Sequence, residues 1–165
     1  MELARETGNR TYAERARFFL EQRGQQPPKL GGYRTLQDHE SPVEAQEIAG
    51  HAVRAIYLAC GLADVGMELE DRALWKAAER LWASAYEKKV YVTGGLGAHH
   101  SGESFGEDFE LPNRRAYAES CAAVAGVMWN WRMLARAGDP RCGKVGAPVR
   151  RWIWNASTNI AAACS

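Results

Sequence analysis

The chain has no clustered cysteines, no long apolar run and almost no net charge. Its four cysteines, Cys60, Cys121, Cys142 and Cys164, are widely scattered without a Cys-x-x-Cys spacing. This excludes a disulfide framework or a zinc ribbon and favours free thiols. No apolar stretch approaches the roughly 20 residues a membrane span requires. Lys and Arg total 21 against 20 Asp and Glu, a net charge of +1. That balance gives no general attraction for nucleic acid or an anionic membrane. The opening Met1-Glu-Leu-Ala-Arg-Glu6 is charged and helix-favouring, unlike a secretory leader, so a cytoplasmic location is the default expectation. Gly94-Gly95-Leu96-Gly97 lacks the Lys-Ser/Thr of a phosphate loop and the strand-loop-helix setting of a dinucleotide site. His51 has Ala55 one turn on, so it forms no His-x-x-x-His zinc pair.

What remains is ordinary globular material: 165 residues, 46% hydrophobic and 25% charged, enough for one domain with a real core. Ala13, Ala16, Phe19 and Leu20 fall at helical spacing between Tyr12 and Gln22, with Gly24 and Pro27-Pro28 as a stop. Ser41-Pro42-Val43-Glu44 has the form of a capping box. It predicts a helix carrying Ile48, Val53, Ile56, Tyr57 and Cys60 and reaching the Gly61–Asp64 region. A further helix is expected from near Asp71, with Leu74, Ala78, Leu81, Trp82 and Ala85 inward, and a last one over about Arg115–Ala137. Trp129 and Trp131, two apart, should face different ways and serve packing. Val90-Tyr-Val-Thr could be extended, but no partner strand is evident. The fold class expected is all-α, built of helical hairpins as in toroids and solenoids.

Between the last two helices lies a glycine- and acid-rich loop of more than twenty residues, beginning at Tyr91-Val-Thr-Gly-Gly-Leu-Gly97. Long irregular loops in compact domains are commonly functional, and Tyr91, Phe105, Phe109 and Tyr117 would anchor this one. Glu103, in a Gly-Glu-Ser-Phe context, is a candidate general acid if desolvation raises its pKa. Spacing alone favours a solvated acidic loop made of Glu103, Glu107, Asp108 and Glu110. Glu119 and Cys121 are of metal-ligating types, yet they lie about 200° apart on an ideal helix, and a buried small cysteine is the commoner case. His51, placed within a helix, reads by itself as a hydrogen-bonded core residue. His39 fits a turn, and His99-His100 fit either a metal or solvent.

Taken together, these residues resemble glycoside hydrolase family 127, the β-L-arabinofuranosidase family. The resemblance rests on Gln37-Asp-His39 with Pro42-Val43, Gly50-His-Ala-Val-Arg-Ala-Ile-Tyr57 and Tyr91 to Gly97. It continues through Gly102-Glu103, Leu111-Pro-Asn113 and Ala116-Tyr-Ala-Glu-Ser-Cys121, in order, across about residues 10–141. It implies part of an (α/α)6 toroid and a retaining exo-glycosidase that releases β-linked L-arabinofuranose by means of a zinc-bound cysteine nucleophile. It further implies Glu103 as acid/base, Glu119 and Cys121 as two of four zinc ligands, and His51 lining the sugar pocket.

The sequence also departs from that pattern. The family's remaining zinc ligands are an adjacent Cys-Cys pair, one of them the nucleophile, and no such pair occurs here. Residues 142–165 contain no Asp or Glu, a composition shift that suggests a divergent, frameshifted or disordered tail. The expectation is therefore residues 1–141 as an internal piece of the catalytic domain, inactive by itself, with exposed helix faces open to self-association. The alternative is a non-catalytic carbohydrate-binding or zinc-binding helical module.

Overall fold

The computed structural model describes residues 1–137, and the expected tail, 142–165, lies outside them. Five α-helices carry the described chain: α1 (Glu2–Thr7), α2 (Thr11–Glu21), α3 (Ala52–Glu68), α4 (Arg72–Lys88) and α5 (Ser120–Ala137). Short 3-10 turns occur at Arg34–Leu36 and Ser101–Glu103. No strand forms among the described residues, only isolated bridges including Val90 with Leu96. The all-α expectation holds.

Helix α3 is the central element and packs against α2, α4 and α5. Its apolar residues supply much of the core: Ala52, Ala55, Ile56, Ala59, Cys60, Leu62, Ala63 and Val65 are all buried. The turn into α4 is closed by Asp71, whose Oδ1 accepts N–H bonds from Ala73 (2.9 Å) and Leu74 (3.2 Å), satisfying otherwise orphaned donors. Leu74, Ala78, Leu81, Trp82 and Ala85 of α4 are buried, as their spacing predicts. Trp82 stacks on Tyr86 at 5.1 Å, and its Nε1 donates to Asn130 Oδ1 of α5 at 2.8 Å. The Asn130 amide in turn donates to Gly126 O at 2.8 Å. A buried carboxylate joins three helices: Asp64 accepts from Arg5 of α1 at 2.9 Å and from Arg132 of α5 at 2.8 Å.

Several boundaries differ from the sequence reading. Ser41 O accepts from Glu44 and Ala45 N–H groups, but the turn does not propagate, and the helix starts only at Ala52. Side chains of α4 and of Lys89, its C-cap, take the intervening backbone groups. Ser84 Oγ accepts from Ile48 N–H, Arg80 donates to Val43 O and Ala45 O, and Lys89 Nζ donates to Ile48 O. Gly50, at φ 76°, then breaks the helical path. At its other end α3 runs past Asp64 to Glu68, because Gly61 and Gly66 lie against Leu20 and the Trp75 backbone without hindrance.

On α2, Ala13 and Leu20 are buried, whereas Phe19 is 63% exposed. Phe19 lies about 120° from Ala13 around the helix, beyond the buried stripe. Helix α5 starts at Ser120, not Arg115. Ala118 has φ 39° and sends its N–H to Gly97 O at 2.9 Å, which holds the preceding residues in the loop.

Candidate active site

The site forms where the long loop returns to the start of α3. Gly50 O accepts the N–H of Phe105 at 2.9 Å, and Phe105 is buried. His99 and Ser104 exchange both backbone hydrogen bonds, at 3.0 and 3.1 Å. The 3-10 turn between them is completed by Glu103 N–H donating to His100 O at 3.2 Å, with Gly102 at φ 72° and Glu103 itself at φ 48°. The left-handed region is unusual for a glutamate and marks a conformation fixed by its surroundings. These bonds fasten Glu103 beside His51, which occupies the N-cap of α3 in an extended conformation. The sequence reading put His51 inside the helix; the delayed helix start sets it at the end.

The Glu103 carboxylate is held at both oxygens. His51 Nε2 lies 2.9 Å from Oε2, and the Tyr117 hydroxyl donates to Oε1 at 3.1 Å. The His51 side chain is 13% exposed and that of Glu103 43%. This differs from the desolvated, aromatic-flanked setting that the sequence suggests: the carboxylate has two polar partners and remains open to an approaching ligand. The hydrogen bond to Glu103 raises the Tyr117 phenol above its ordinary pKa, helped by desolvation and by the charges of Glu103, Glu119 and Cys121. Tyr117 is therefore a protonated donor at neutral pH. Such a carboxylate can exchange a proton with a ligand while its orientation is kept.

Glu119, just before α5, reaches the same place. One ligand atom from each of His51, Glu103 and Glu119 lies within 4.8 Å of the others, the one such group of three or more among the described residues. Glu119 Oε1 is closed off from solvent and has no hydrogen-bond partner. Cys121, expected beside Glu119 as a metal ligand, is exposed in the first turn of α5 and is not a member of this group. The residues present thus fit the implied zinc only in part: the Glu119 carboxylate is poised for a cation, but the thiol does not converge with it.

Sequence reasoning missed Tyr117 as a partner of Glu103. Its place in Ala116-Tyr-Ala-Glu119 was visible, but a contact across 14 residues of loop has no periodic signal. It also missed His99 Nε2 against Glu110 Oε1, at 2.7 Å. The hydrogen bond from His99, then that from the Glu107 N–H, holds the Glu110 carboxyl below its usual pKa, and the pair braces the loop. Tyr91 and Phe105 are buried and Tyr117 is half-buried, as anchors should be, but Phe109 is 69% exposed. His39 does not join the group.

The helical scaffold thus presents two carboxylates and an imidazole from its loops, groups able to exchange protons with a ligand. The profile of the GH127 beta-L-arabinofuranosidase catalytic domain matches residues 1–144, and the chain belongs to that family. A curated relative, the non-reducing end beta-L-arabinofuranosidase of Bifidobacterium longum subsp. longum, is 38% identical, with 80% of this chain and 23% of the relative covered. Among solved structures, a GH127 beta-arabinofuranosidase is 40% identical with a TM-score of 0.78, covering 90% of this chain and 23% of that one. A GH127 beta-L-arabinofuranosidase from Geobacillus stearothermophilus T6 is 37% identical with a TM-score of 0.78, covering 89% and 26%. The five helices match part of the helical toroid of these structures, and the chain spans about a quarter of the length of its relatives.

Proposed function

We propose that this chain carries the proton-transfer part of a retaining β-L-arabinofuranosidase site, with Glu103 as the acid/base. The carrying observation is the Glu103 carboxylate held between His51 Nε2 and the Tyr117 hydroxyl while 43% exposed. In this reading the Glu103 carboxyl gives its proton to the glycosidic oxygen as that oxygen takes the electron pair of the breaking bond to the anomeric carbon. The resulting carboxylate later accepts a proton from the water that attacks that carbon. Tyr117 and His51 keep the carboxyl aimed, and His51 also lines the sugar site. We place the catalytic-domain region at residues 1–141 and residues 142–165 outside it.

The sequence contains no Cys-Cys pair that matches the family's nucleophile, so the 165-residue chain alone is expected to turn over no arabinofuranoside. A chimera tests the role of Glu103: residues 1–137 replace the matching segment of the Bifidobacterium longum relative, and hydrolysis of a β-L-arabinofuranosyl disaccharide is measured. Glu103→Gln should lower kcat/KM by about 10²–10⁴-fold. The loss should be much smaller on the nitrophenyl glycoside, whose leaving group departs without a proton. An equal loss on both substrates would remove Glu103 from the acid role. Sugar binding without turnover, unaffected by Glu103→Gln, would favour a carbohydrate-binding module.

The same reading extends to association. Val124, Met128 and Trp131 lie one, then two turns apart on α5 and are 37%, 43% and 64% exposed, an apolar stripe suited to self-association.

A further inference from the structure

We propose that Glu110, acting through His99, is a positioning residue for Glu103 and keeps the Glu103 carboxylate against its Tyr117 partner. The meaning of Glu103 as acid/base rests on the proposed function; the mechanical link from Glu110 does not. Residues 97–99 are the common anchor. Gly97 O accepts the N–H of Ala118 at 2.9 Å, which sets Tyr117, one residue earlier. His99 exchanges backbone hydrogen bonds with Ser104 at 3.0 and 3.1 Å, which sets Glu103, again one residue earlier. Phe105 N–H meets Gly50 O at 2.9 Å, beside His51. The three side chains that meet at the Glu103 carboxylate thus hang on one stretch of backbone, residues 97–105. Glu103 and Ala118 take φ of 48° and 39°, conformations that last only where the surroundings hold them.

Glu110 supplies that hold. Its Oε1 lies 2.7 Å from His99 Nε2, and its Oε2 accepts the Glu107 N–H at 2.9 Å. An ionised carboxylate can only accept, so Nε2 carries the proton, and a bond to a charged acceptor is stronger than a neutral one. The same carboxylate lies on Gly106, where a Cβ would stand 2.5 Å from Oε2. One side chain therefore spans both arms of the turn, His99 on the way in and Gly106-Glu107 on the way out. The Glu110 segment is itself fastened to the end of α4. Phe109 N–H donates to Lys88 O at 3.0 Å, and Lys88 Nζ donates to Asp108 at 2.7 Å. Glu110 stands outside the group of His51, Glu103 and Glu119, and both of its oxygens are engaged within the loop. The path runs from the rigid helix through Glu110 and His99 to Glu103 and Tyr117.

Nuclear magnetic resonance of the 165-residue chain at pH 7 tests the proposal, with two readouts. One is the ¹³Cζ line of Tyr117, which reports its bond to Glu103; Glu103→Ala marks where that line falls without an acceptor. The other is amide hydrogen exchange. Glu110→Ala should move the Tyr117 line most of the way to the Glu103→Ala position. It should also speed exchange at His99 and Ser104 by roughly tenfold or more while Ile56 in α3 stays within about twofold. If Glu110→Ala loses its helical circular dichroism, His99→Leu removes the same bond from the other side, with the same expected changes. The proposal is overturned if the Tyr117 line of the folded variant stays at the wild-type position. Exchange that rises equally in α3 and the turn would also overturn it, because that is general destabilisation. So would a line that Glu103→Ala does not move, since no phenol–carboxylate bond would then exist to be positioned. No sugar enters these measurements, so their failure leaves the chimera test of hydrolysis untouched. Equal losses on the two glycosides in that test would in turn leave the link from Glu110 to Glu103 standing.

Discussion

At the scale of single residues, burial separates groups that composition treats alike. Cys60 lies on the inner face of α3, and burial pushes its thiol up to about 12. At pH 8 roughly one molecule in ten thousand would carry a Cys60 thiolate, the reactive form. Cys121 is exposed. Brief treatment of folded protein with N-ethylmaleimide at pH 8, followed by peptide mass mapping, should label Cys121 and leave Cys60 unmodified until denaturant is added. Early labelling of Cys60 would contradict its packing. Asp38 shows the opposite case, a charge maintained in the interior. It is fully buried, and its oxygens accept the N–H groups of Leu30 (2.6 Å), Gly32 (3.2 Å) and Gly24 (3.3 Å). Burial alone would raise this carboxyl; the three N–H donors and Arg23 outweigh it and bring the pKa below the ordinary value of 3.8. A depressed folded pKa contributes stability above the unfolded value, and that stability is lost as pH falls through the folded value. Asp38→Asn should lower Tm by roughly 3–8 °C at pH 6, and the gap to wild type should narrow below pH 3.8. A constant gap from pH 6 to pH 3 would show that the carboxylate charge is not what holds the loop.

At the scale of elements, the sequence disclosed what repeats and concealed what is fixed across the chain. The buried stripe of α4 and its start near Asp71 were legible because helical periodicity is a local signal. The starts of α3 and α5 were not. Ser41 to Glu44 looks like a capping box, but Arg80, Ser84 and Lys89 claim the backbone that the helix would use. Nothing within ten residues of Ser41 announces this. At the site, the family resemblance singled out Glu103, His51, Glu119 and Cys121 together, of which the first three converge, while the bond from Tyr117 to Glu103 depends on a loop closure without period. The α3–α4 hairpin offers a test of the packing. A Cβ at Gly66 would stand 2.8 Å from Trp75 N and 3.2 Å from its Cα, backbone atoms that cannot rotate away. Gly66→Ala should destabilise the chain by about 1–3 kcal/mol despite its better helix propensity, measured as a lower urea midpoint. A neutral or stabilising result would mean that the helices separate more readily than this contact implies.

At the scale of the whole molecule, the described residues bury a continuous core and leave an apolar stripe exposed on α5. Asp64, bound by Arg5 and Arg132, draws α1, α3 and α5 together, and the Trp82–Asn130 bond ties α4 to α5. The inner face of α5 is thereby fully used: Ala122, Ala125, Trp129 and Met133 have no exposure. Its outer face carries Val124, Met128 and Trp131, with Trp131 64% exposed. An indole left in water beside two other apolar side chains provides a driving force for association, at roughly 25 cal/mol for each Å² of apolar surface removed from solvent. The chain spans about a quarter of its relatives' length. In isolation, two copies can cover the stripe mutually. Sedimentation velocity from micromolar to hundreds of micromolar should show the mean mass of wild type rising with concentration. Trp131→Glu, which places a charge in the stripe while leaving the buried face of α5 intact, should shift the distribution toward the monomer without loss of helical signal. A wild-type chain that stays monomeric over the whole range would show that the stripe is too small or too interrupted by the neighbouring arginines to act as an interface.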